Sequence, residues 1–514
     1  MNILQLLNIN IFRSEGGNLL AGVKINRVNY LYFCPPIIFA VHIKEFCKFV
    51  IKNGAFMKRA LTLFVIGFFS LSIGHTQEIA KSESWSGGIT VGKRELNIGF
   101  VIKTQPDGKQ SCTMDVPDQG AKEIPVELLK NDSDSLNISI PALRASFKGH
   151  KVSSEIIEGT FTQNGMSIPL NLKPGGFELK RPQTPVGPFV YTTEEVVFRN
   201  DAEGAELSGT LTYPVNYGTY KNKSVPVVLM VSGSGDQNRD EEVFDHKPFL
   251  VIADFLARNG IASLRYDDRG VGKSKGPTKG TTTENNLADA EAGISYLRSL
   301  NKFGKVGVLG HSEGGTIAFM MGANKSVDFL ISFAGGAADG IEVIVGQNEA
   351  AMLQQGVPQE LINDYASALR IVYKDRINGK EIDDKSKYIE DLCNDKGFTL
   401  PNNFKSNLAK CITYGGNWLT WFLGYDPADA IRKIKCPVMA LNGTLDLQVL
   451  SKDNLPVIKE NLPKNKKSLI KEYDGLNHLF QHCTPANALN YGAIEETISE
   501  DVLTDMINWI NLIK

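Results

Sequence analysis

The chain has 514 residues, of which 42% are hydrophobic and 22% are charged, and its formal net charge is -2. Its length exceeds what one hydrophobic core usually organises, so two or more domains are expected. The charge balance shows neither the basic excess of nucleic-acid-binding proteins nor the acidic tail of a solvating segment, and no nucleic-acid partner is predicted.

A pattern typical of secretory signal peptides lies within the N-terminal part. A cationic start at residues 57–59 precedes an apolar run over 60–73 and a small residue, which are the parts that such a leader needs. We predict a signal peptide over residues 57–76 and an exported protein, either periplasmic or secreted. Residues 1–56 are then a non-native upstream extension, with Met57 as the true start.

A membrane-anchored form is the alternative, because residues 30–41 are also apolar. Pro35 and Pro36 interrupt this run, and it is short for a spanning helix. No stable membrane span is therefore predicted after cleavage of the signal peptide.

The cysteines after Met57 do not form a recognisable framework. Their odd number and wide spacing do not indicate paired disulfides, and they contain no C-x-x-C pair for a metal. We expect mostly buried small side chains, with one disulfide at most, among Cys112, Cys393, Cys411, Cys436 and Cys483.

Residues 77–172 predict a small all-β domain. Short alternating runs at 96–102, 136–140 and 156–161 are separated by turn signals, which indicates a sandwich or a partial barrel. No group of nucleophile, base or metal ligand occurs there, so we expect a role in packing, positioning or ligand contact. A linker rich in proline and glycine follows over 173–190 and forms the domain boundary.

Strand and helix patterns alternate through residues 191–514, which predicts an α/β domain with a mostly parallel sheet covered by helices on both faces. The expected strands are 196–198, 210–213, 225–231, 261–266, 305–309, 329–333, 438–441 and 469–473, and the expected helices are 249–258, 285–300 and 495–513.

An insertion with helical patterns occupies residues 336–430. A helical excursion at the ligand-binding end of a parallel sheet is most simply a lid. Trp418, Trp421 and Phe422 near its end are candidates for lining a substrate pocket. The alternative is a packing insertion without a gating role.

The motif G-H-S-E-G at residues 310–314 follows an apolar run and precedes a helical pattern. This is the strand, turn and helix context in which a serine becomes an exposed nucleophile. Gly310 and Gly314 allow the strand and helix to approach closely, since neither has a Cβ. Ser312 is therefore the candidate nucleophile.

A nucleophilic serine needs a base, and the base needs a partner that holds its tautomer. Of the two histidines after Ser312, His478 lies directly behind a predicted strand, whereas His482 suits a supporting or surface position better. Asp446 follows the strand at 438–441 and completes the order Ser, Asp, His. The competing carboxylates are expected to cap helices or lie in solvated loops; they are Asp426, Asp429 and Asp474.

The oxyanion of an acyl-transfer intermediate needs backbone N–H donors already in place. The N–H of Glu313 is one candidate, and Gly233 and Ser234 in the loop after the strand at 225–231 are the others. The charged cluster Y-D-D-R-G at 266–270 is expected to be a solvated loop, with buried ion pairing near the oxyanion loop as the alternative.

Two further patterns do not carry the sites they resemble. G-K-S at 272–274 ends like a phosphate-binding loop, but Asp267 stands where the first glycine is required. His478 and His482 are four residues apart as in a zinc helix, but Leu479 replaces the necessary glutamate. We predict neither a metal nor a cofactor.

Together, several motifs resemble bacterial α/β-hydrolases of the esterase D type, close to the serine aminopeptidase-like hydrolases. They are S-G-S-G-D at 232–236, Y-D-D-R-G at 266–270, G-H-S-E-G at 310–314, N-G at 442–443 with Asp446, and G-L-N-H at 475–478. The resemblance covers residues 194–514 and reaches the front domain through D-V-P-D-Q-G at 115–120 and R-P-Q at 181–183.

The resemblance implies an α/β-hydrolase fold and a metal-free carboxylesterase acting on short acyl esters, with Ser312 as nucleophile, His478 as base and Asp446 as its orienter. The predicted partner is a small ester, with a short peptide or amide as the alternative, because the same triad cleaves amides. A non-catalytic protein that binds a cell-envelope component is the alternative from another class. The natural substrate and the oligomeric state stay open.

Overall fold

The computed structural model describes residues 81–91, 94–119, 121–177 and 180–514. The predicted signal peptide and the upstream extension lie outside these residues. Two compact units are present: one contains 81–115 and 122–177, and the other contains 180–514 with a short stretch around 116–121. Among the described residues, no helix has the length and apolarity needed to cross a membrane.

The N-terminal unit is a single antiparallel meander of nine strands in the order β8-β7-β6-β5-β4-β3-β2-β1-β9. The segment after β8 pairs with β7 through an Ile157–Leu172 bridge and with β1 through Trp85 opposite Pro174. This arrangement matches the partial barrel among the two predicted architectures. The strands are β1 (Lys81–Val91), β2 (Arg94–Thr104), β3 (Gln110–Val116), β4 (Ala121–Asn131), β5 (Ser135–Ile140), β6 (Ala145–Ser153), β7 (Ile156–Gln163), β8 (Met166–Pro169) and β9 (Lys173–Pro174).

The second unit contains an eight-stranded sheet in the order β10-β11-β13-β12-β14-β15-β16-β17, in which β11 is antiparallel to both of its neighbours, β10 and β13, and the other pairs are parallel. Its strands are β10 (Thr193–Asn200), β11 (Ala205–Thr212), β12 (Val227–Val231), β13 (Ala262–Tyr266), β14 (Val306–His311), β15 (Phe329–Phe333), β16 (Val438–Gly443) and β17 (Leu469–Tyr473). Burial alternates along the edge strand β10 but is continuous along β12, as expected for an edge and a centre covered on both faces.

Helices cover both faces of this sheet, and each face has its own apolar core. One face is covered by α1 (Pro248–Arg258) and the closing helix α11 (Glu500–Ile513); the other is covered by α2 (Thr283–Ser299), α3 (Glu313–Ala323), α9 (Ala428–Lys433) and α10 (Ser451–Asn461). The expected α/β-hydrolase fold, preceded by an all-β domain, is confirmed.

The insertion forms a helical subdomain with a hydrophobic core of its own. It contains α4 (Gly340–Gln354), α5 (Gln359–Ile377), α6 (Lys385–Lys396), α7 (Asn402–Cys411) and α8 (Gly416–Leu423). Because these helices bury their apolar faces against one another, the subdomain can cover the sheet without merging into the central core.

The closing helix begins at Glu500 and not at 495 as its apolar pattern predicts. The side-chain oxygen of Gln183 accepts the N–H groups of Thr497 (2.6 Å) and Ile498 (3.1 Å). These two N–H groups are thereby bonded to a distant segment of the chain, and the helix starts only after Ser499.

Candidate active site

Ser312 occupies a sharp turn between β14 and α3, with φ 55° and ψ −118°. This conformation is costly for a residue with a side chain and persists only where its surroundings enforce it. A Cβ on Gly310 would lie 1.8 Å from the carbonyl oxygen of Gly314, and one on Gly314 would lie 2.1 Å from that of Val231. Both glycines are therefore sterically required, as expected from the motif.

His478 and Asp446 form a buried pair. His478 Nδ1 lies 2.8 Å from Asp446 Oδ2, and the two residues are 3% and 1% exposed. The other carboxylate oxygen, Oδ1, accepts the N–H groups of Gln448 (2.8 Å) and Val449 (2.9 Å). The aspartate is thus held by its own loop with one oxygen directed to the imidazole, the arrangement that fixes a histidine tautomer.

The alternative residues lie elsewhere. His482 is exposed and pairs with Glu496 at 2.9 Å. Asp426 accepts the N–H of Ala428 at the start of α9, as expected for a capping residue. The carboxylates of Asp429 and Asp474 contact Arg432 and Thr444, respectively, and not the imidazole of His478.

Of the two candidate oxyanion donors in the loop after β12, the structure leaves only Ser234 with an available backbone N–H. The N–H of Gly233 donates to Glu241 Oε1 at 2.6 Å, so it is already bonded. Ser234 lines the cavity in front of Ser312, together with Glu313. Within the described residues the N–H groups of Ser234 and Glu313 are donated to no protein acceptor, and these two amides are available for an oxyanion.

The Y-D-D-R-G cluster at 266–270 is not the solvated loop that its composition predicts. Asp267 pairs with Arg239 at 2.8 Å, and Arg269 pairs with Asp289 at 2.7 Å, all at low exposure. The cluster follows β13, which is central in the sheet, so its side chains enter the protein and must be paired. The alternative of buried ion pairing near the oxyanion loop therefore describes it.

Asp268 ties this cluster to the oxyanion loop. Its carboxylate accepts the Ser232 hydroxyl at 3.1 Å and the N–H of Gln237 at 3.0 Å. Burial raises the pKa of Asp268 from 3.8 to about 8, with the negative charges of Glu313 and Glu241 adding to the shift. The carboxyl is consequently largely protonated at neutral pH.

A cavity of about 50 Å³ opens in front of Ser312. Its walls come from the serine turn, the lid helices α4 and α8, and the loop after β16; they include Ser234, Thr316, Val343, Ile344, Gln347, Trp418, Phe422 and Gln448. Trp418 and Phe422 thus lie at the predicted pocket. Trp421 does not line it and stacks on Tyr425 with ring centroids 4.7 Å apart.

The helical insertion contacts the serine turn through a buried carboxylate. Trp418 Nε1 lies 3.0 Å from both oxygens of Glu313, and the Thr283 hydroxyl donates to Oε1 at 2.7 Å. Burial raises the pKa of Glu313. Glu313, directly after Ser312, therefore presents its backbone to the cavity and its side chain to the helical insertion.

Two buried residues at the site are absent from the sequence-based candidates. Glu241 contacts the oxyanion loop, and His311, next to the nucleophile, contacts the backbone of His478. The signal available was the histidine within G-H-S-E-G, whereas nothing local distinguishes Glu241 from the acidic residues around it. Across the described residues, no group of three or more His, Cys, Asp or Glu side chains could hold a metal ion.

A model of the X-Pro dipeptidyl-peptidase (S15) family matches residues 203–474, a little over half of the chain. The chain belongs to the S15 family. The region matched by the S15 family includes Ser312 and Asp446 and ends shortly before His478. A curated relative, esterase EstD of Thermotoga maritima, is 25% identical over 321 residues, which are 62% of this chain and 69% of that protein.

Solved structures similar to this S15 family member include an esterase and a peptidase. The Pyrococcus furiosus esterase Pf2001 aligns at 15% identity and a TM-score of 0.39, covering 66% of this chain and 99% of that one. The proline iminopeptidase of Mycobacterium smegmatis aligns at 14% identity and a TM-score of 0.37, covering 62% and 98%. From the family and the curated relative, the chain is a serine hydrolase of the α/β-hydrolase superfamily.

Proposed function

We propose that the protein hydrolyses carboxylic esters with short acyl groups through an acyl-enzyme. Ser312 attacks the ester carbonyl, and His478 takes the hydroxyl proton and delivers it to the leaving alcohol. His478 then takes a proton from a water that attacks the acyl-enzyme, and it returns this proton to Ser312 as the acid leaves. Asp446 holds the imidazole through the 2.8 Å contact to Nδ1. The amides of Glu313 and Ser234 stabilise the oxyanion.

The observation that carries the short-acyl proposal is the size of the cavity at Ser312. It measures about 50 Å³, and a single water requires roughly 10–15 Å³ of such a space. A group of about four heavy atoms fills it on that scale. Acetyl and propionyl groups fit this limit, and longer acyl chains exceed it unless the lid moves.

A dipeptidyl-peptidase is the second candidate, because the family description names that activity. A serine hydrolase cleaves an amide when its pocket positions and protonates the amine leaving group. Peptidyl p-nitroanilides with proline before the scissile bond distinguish this candidate from an esterase.

The test compares p-nitrophenyl acetate, butyrate and octanoate with Ala-Pro-p-nitroanilide. We expect kcat/KM to fall along the ester series and to be lowest for the anilide. Ser312→Ala is expected to lower kcat by about 10⁶-fold, whereas Ser295→Ala, an exposed serine on α2, leaves it unchanged. No ester turnover and no labelling by a fluorophosphonate would contradict an enzymatic role, and a preference for the anilide would establish the peptidase.

We also propose that the protein is exported after cleavage near residue 76. Support comes from the cationic and apolar pattern over residues 57–76, which is typical of a signal peptide. The N-terminal sequence of protein recovered from the extracytoplasmic fraction tests it; a product that retains residues 57–76 there contradicts cleavage.

A further inference from the structure

Glu241 lies at 5% exposure beneath the serine turn and adopts a positive φ of 50°. One of its carboxylate oxygens, Oε1, accepts the N–H of Gly233 at 2.6 Å and lies 2.9 Å from Nδ1 of His311. A side chain held in a costly backbone conformation, with two buried contacts on one oxygen, has a specific position to maintain. Glu241 therefore links the oxyanion loop to the strand that delivers Ser312.

His311 extends this link to the base. Its Nε2 lies 3.0 Å from the backbone carbonyl oxygen of His478, and the two imidazole rings have centroids 4.7 Å apart. The ring of His311 is thus placed between Glu241 and the loop that carries the base.

The partners of His311 determine its protonation. The carbonyl oxygen of His478 can only accept, so Nε2 must carry a proton. The contact from the N–H of Gly233 to Glu241 Oε1 is 2.6 Å long, the short length of a hydrogen bond to a charged acceptor. A carboxylate can only accept, so Nδ1 carries a proton as well. Both ring nitrogens therefore donate, and His311 is an imidazolium.

Electrostatics agrees with this assignment. Burial lowers the pKa of His311, but the charge and hydrogen bond of Glu241, together with the His478 carbonyl and the charge of Asp446, outweigh burial, and the net shift is upward. A buried imidazolium beside a carboxylate is a charge pair with its hydrogen bonds satisfied, the form in which buried charges are tolerated.

We propose that Glu241 and His311 form a positioning ion pair that sets the oxyanion loop and the loop of His478 relative to Ser312. Neither residue lines the cavity, so the pair acts through the Gly233 amide and the His478 backbone. This role rests on the proposed function of Ser312 and His478. Because displacement of reacting groups by about 1 Å can cost 100-fold in rate, loss of the pair affects kcat more than KM.

Kinetics of Glu241→Gln and His311→Gln on p-nitrophenyl acetate test the role. We expect each variant to lose about 100-fold in kcat with KM within about 3-fold of the wild type. The double variant should lose little more than either single one, because both changes remove the same pair. Glu242→Gln and His482→Gln are matched controls at exposed positions and should keep wild-type kinetics.

Nitrogen NMR of wild-type protein labelled with ¹⁵N-histidine tests the charge without requiring turnover. We expect both ring nitrogens of His311 to be protonated at pH 7, above the ordinary imidazole pKa of 6.5, with the signals assigned by their loss in His311→Gln or His311→Asn. A neutral ring overturns the ion pair, and a kcat within 3-fold of wild type in a folded Glu241→Gln variant overturns the positioning role. Absence of ester turnover by the wild type instead contradicts the proposed function and leaves the NMR result to decide the ion pair.

Discussion

At the scale of single residues, the site depends on carboxyl groups placed where water does not stabilise their charge. Glu313 and Asp268 both have raised pKa values because of burial. Each accepts hydrogen bonds from a loop or lid that must stay in place: Trp418 bonds to Glu313, and Ser232 bonds to Asp268. Glu313 and Asp268, whose ionisation is disfavoured, thus form hydrogen bonds with segments next to the cavity.

Asp268 makes stability depend on pH in a defined direction. Its pKa is about 8 in the folded protein against 3.8 as the ordinary value, so between these values the folded state binds more protons than the unfolded state, and stability falls as pH rises. Asp268→Asn cannot ionise at this position. We therefore expect the difference in Tm between this variant and the wild type to be more favourable to the variant at pH 8 than at pH 5. Thermal unfolding at both pH values measures this change.

The control for this experiment is Asp236→Asn, an exposed carboxylate in the loop that Asp268 contacts. Its Tm difference from wild type should be the same at pH 5 and pH 8. If the difference for Asp268→Asn were equally independent of pH, the protonated form of Asp268 at neutral pH would be wrong.

At the scale of elements, the lid and the serine turn are joined by few polar contacts. The lid has its own hydrophobic core, so its helices fold against one another, and Trp418 supplies the hydrogen bonds to Glu313. This contact places Trp418 at the cavity, while the hydrophobic core of the lid stays separate from the cores of the sheet. The lid and the helix after the nucleophile therefore share one buried carboxylate.

Trp418→Phe removes the indole N–H and leaves the buried Glu313 carboxyl with fewer donors. We expect a loss of about 1–3 kcal/mol in the free energy of unfolding and a higher KM for p-nitrophenyl acetate, since the ring also lines the cavity. Denaturant titration and steady-state kinetics measure the two effects. Trp421→Phe, in the same helix but outside the cavity, should leave KM unchanged; equal effects from both substitutions would contradict a specific contact.

At the scale of the whole molecule, Arg181 in the predicted linker forms hydrogen bonds with distant parts of the hydrolase unit. Arg181 donates to the carbonyl oxygens of Phe244 (2.8 Å), Gly492 (2.7 Å) and Ile494 (3.2 Å). These contacts join the loop that carries Glu241 to the segment before α11. Part of the predicted linker over 173–190 therefore contributes to the stability of the catalytic unit.

Arg181→Ala leaves three carbonyl groups without their charged donor. We expect the free energy of unfolding of the catalytic unit to fall by about 1–3 kcal/mol, seen as a lower transition temperature in scanning calorimetry of the full chain. Lys180→Ala, at the exposed neighbouring position, is the control and should leave the transition in place. An unchanged transition in Arg181→Ala would show that water replaces the guanidinium without cost.

The sequence by itself determined the fold class, the order of strands and helices in the hydrolase unit, and the candidates Ser312, Asp446 and His478. These follow from local information: apolar periodicity, glycines around a strained turn, and residues placed directly after strands. The start of α11 was not predictable from this information, because Gln183, from a distant segment, accepts the N–H groups of Thr497 and Ile498 just before the helix.

Only the tertiary structure decided which residues surround the triad candidates. Glu241 and His311 are 70 positions apart, and the amide of Gly233 is bonded to the same carboxylate, eight positions along the chain. The structure also showed that the charged residues at 266–270 form buried ion pairs, and that Trp418 lines the cavity whereas Trp421 does not. The physical reason is that buried charges and amides are satisfied by partners brought together by folding, and no pattern within one segment records that pairing.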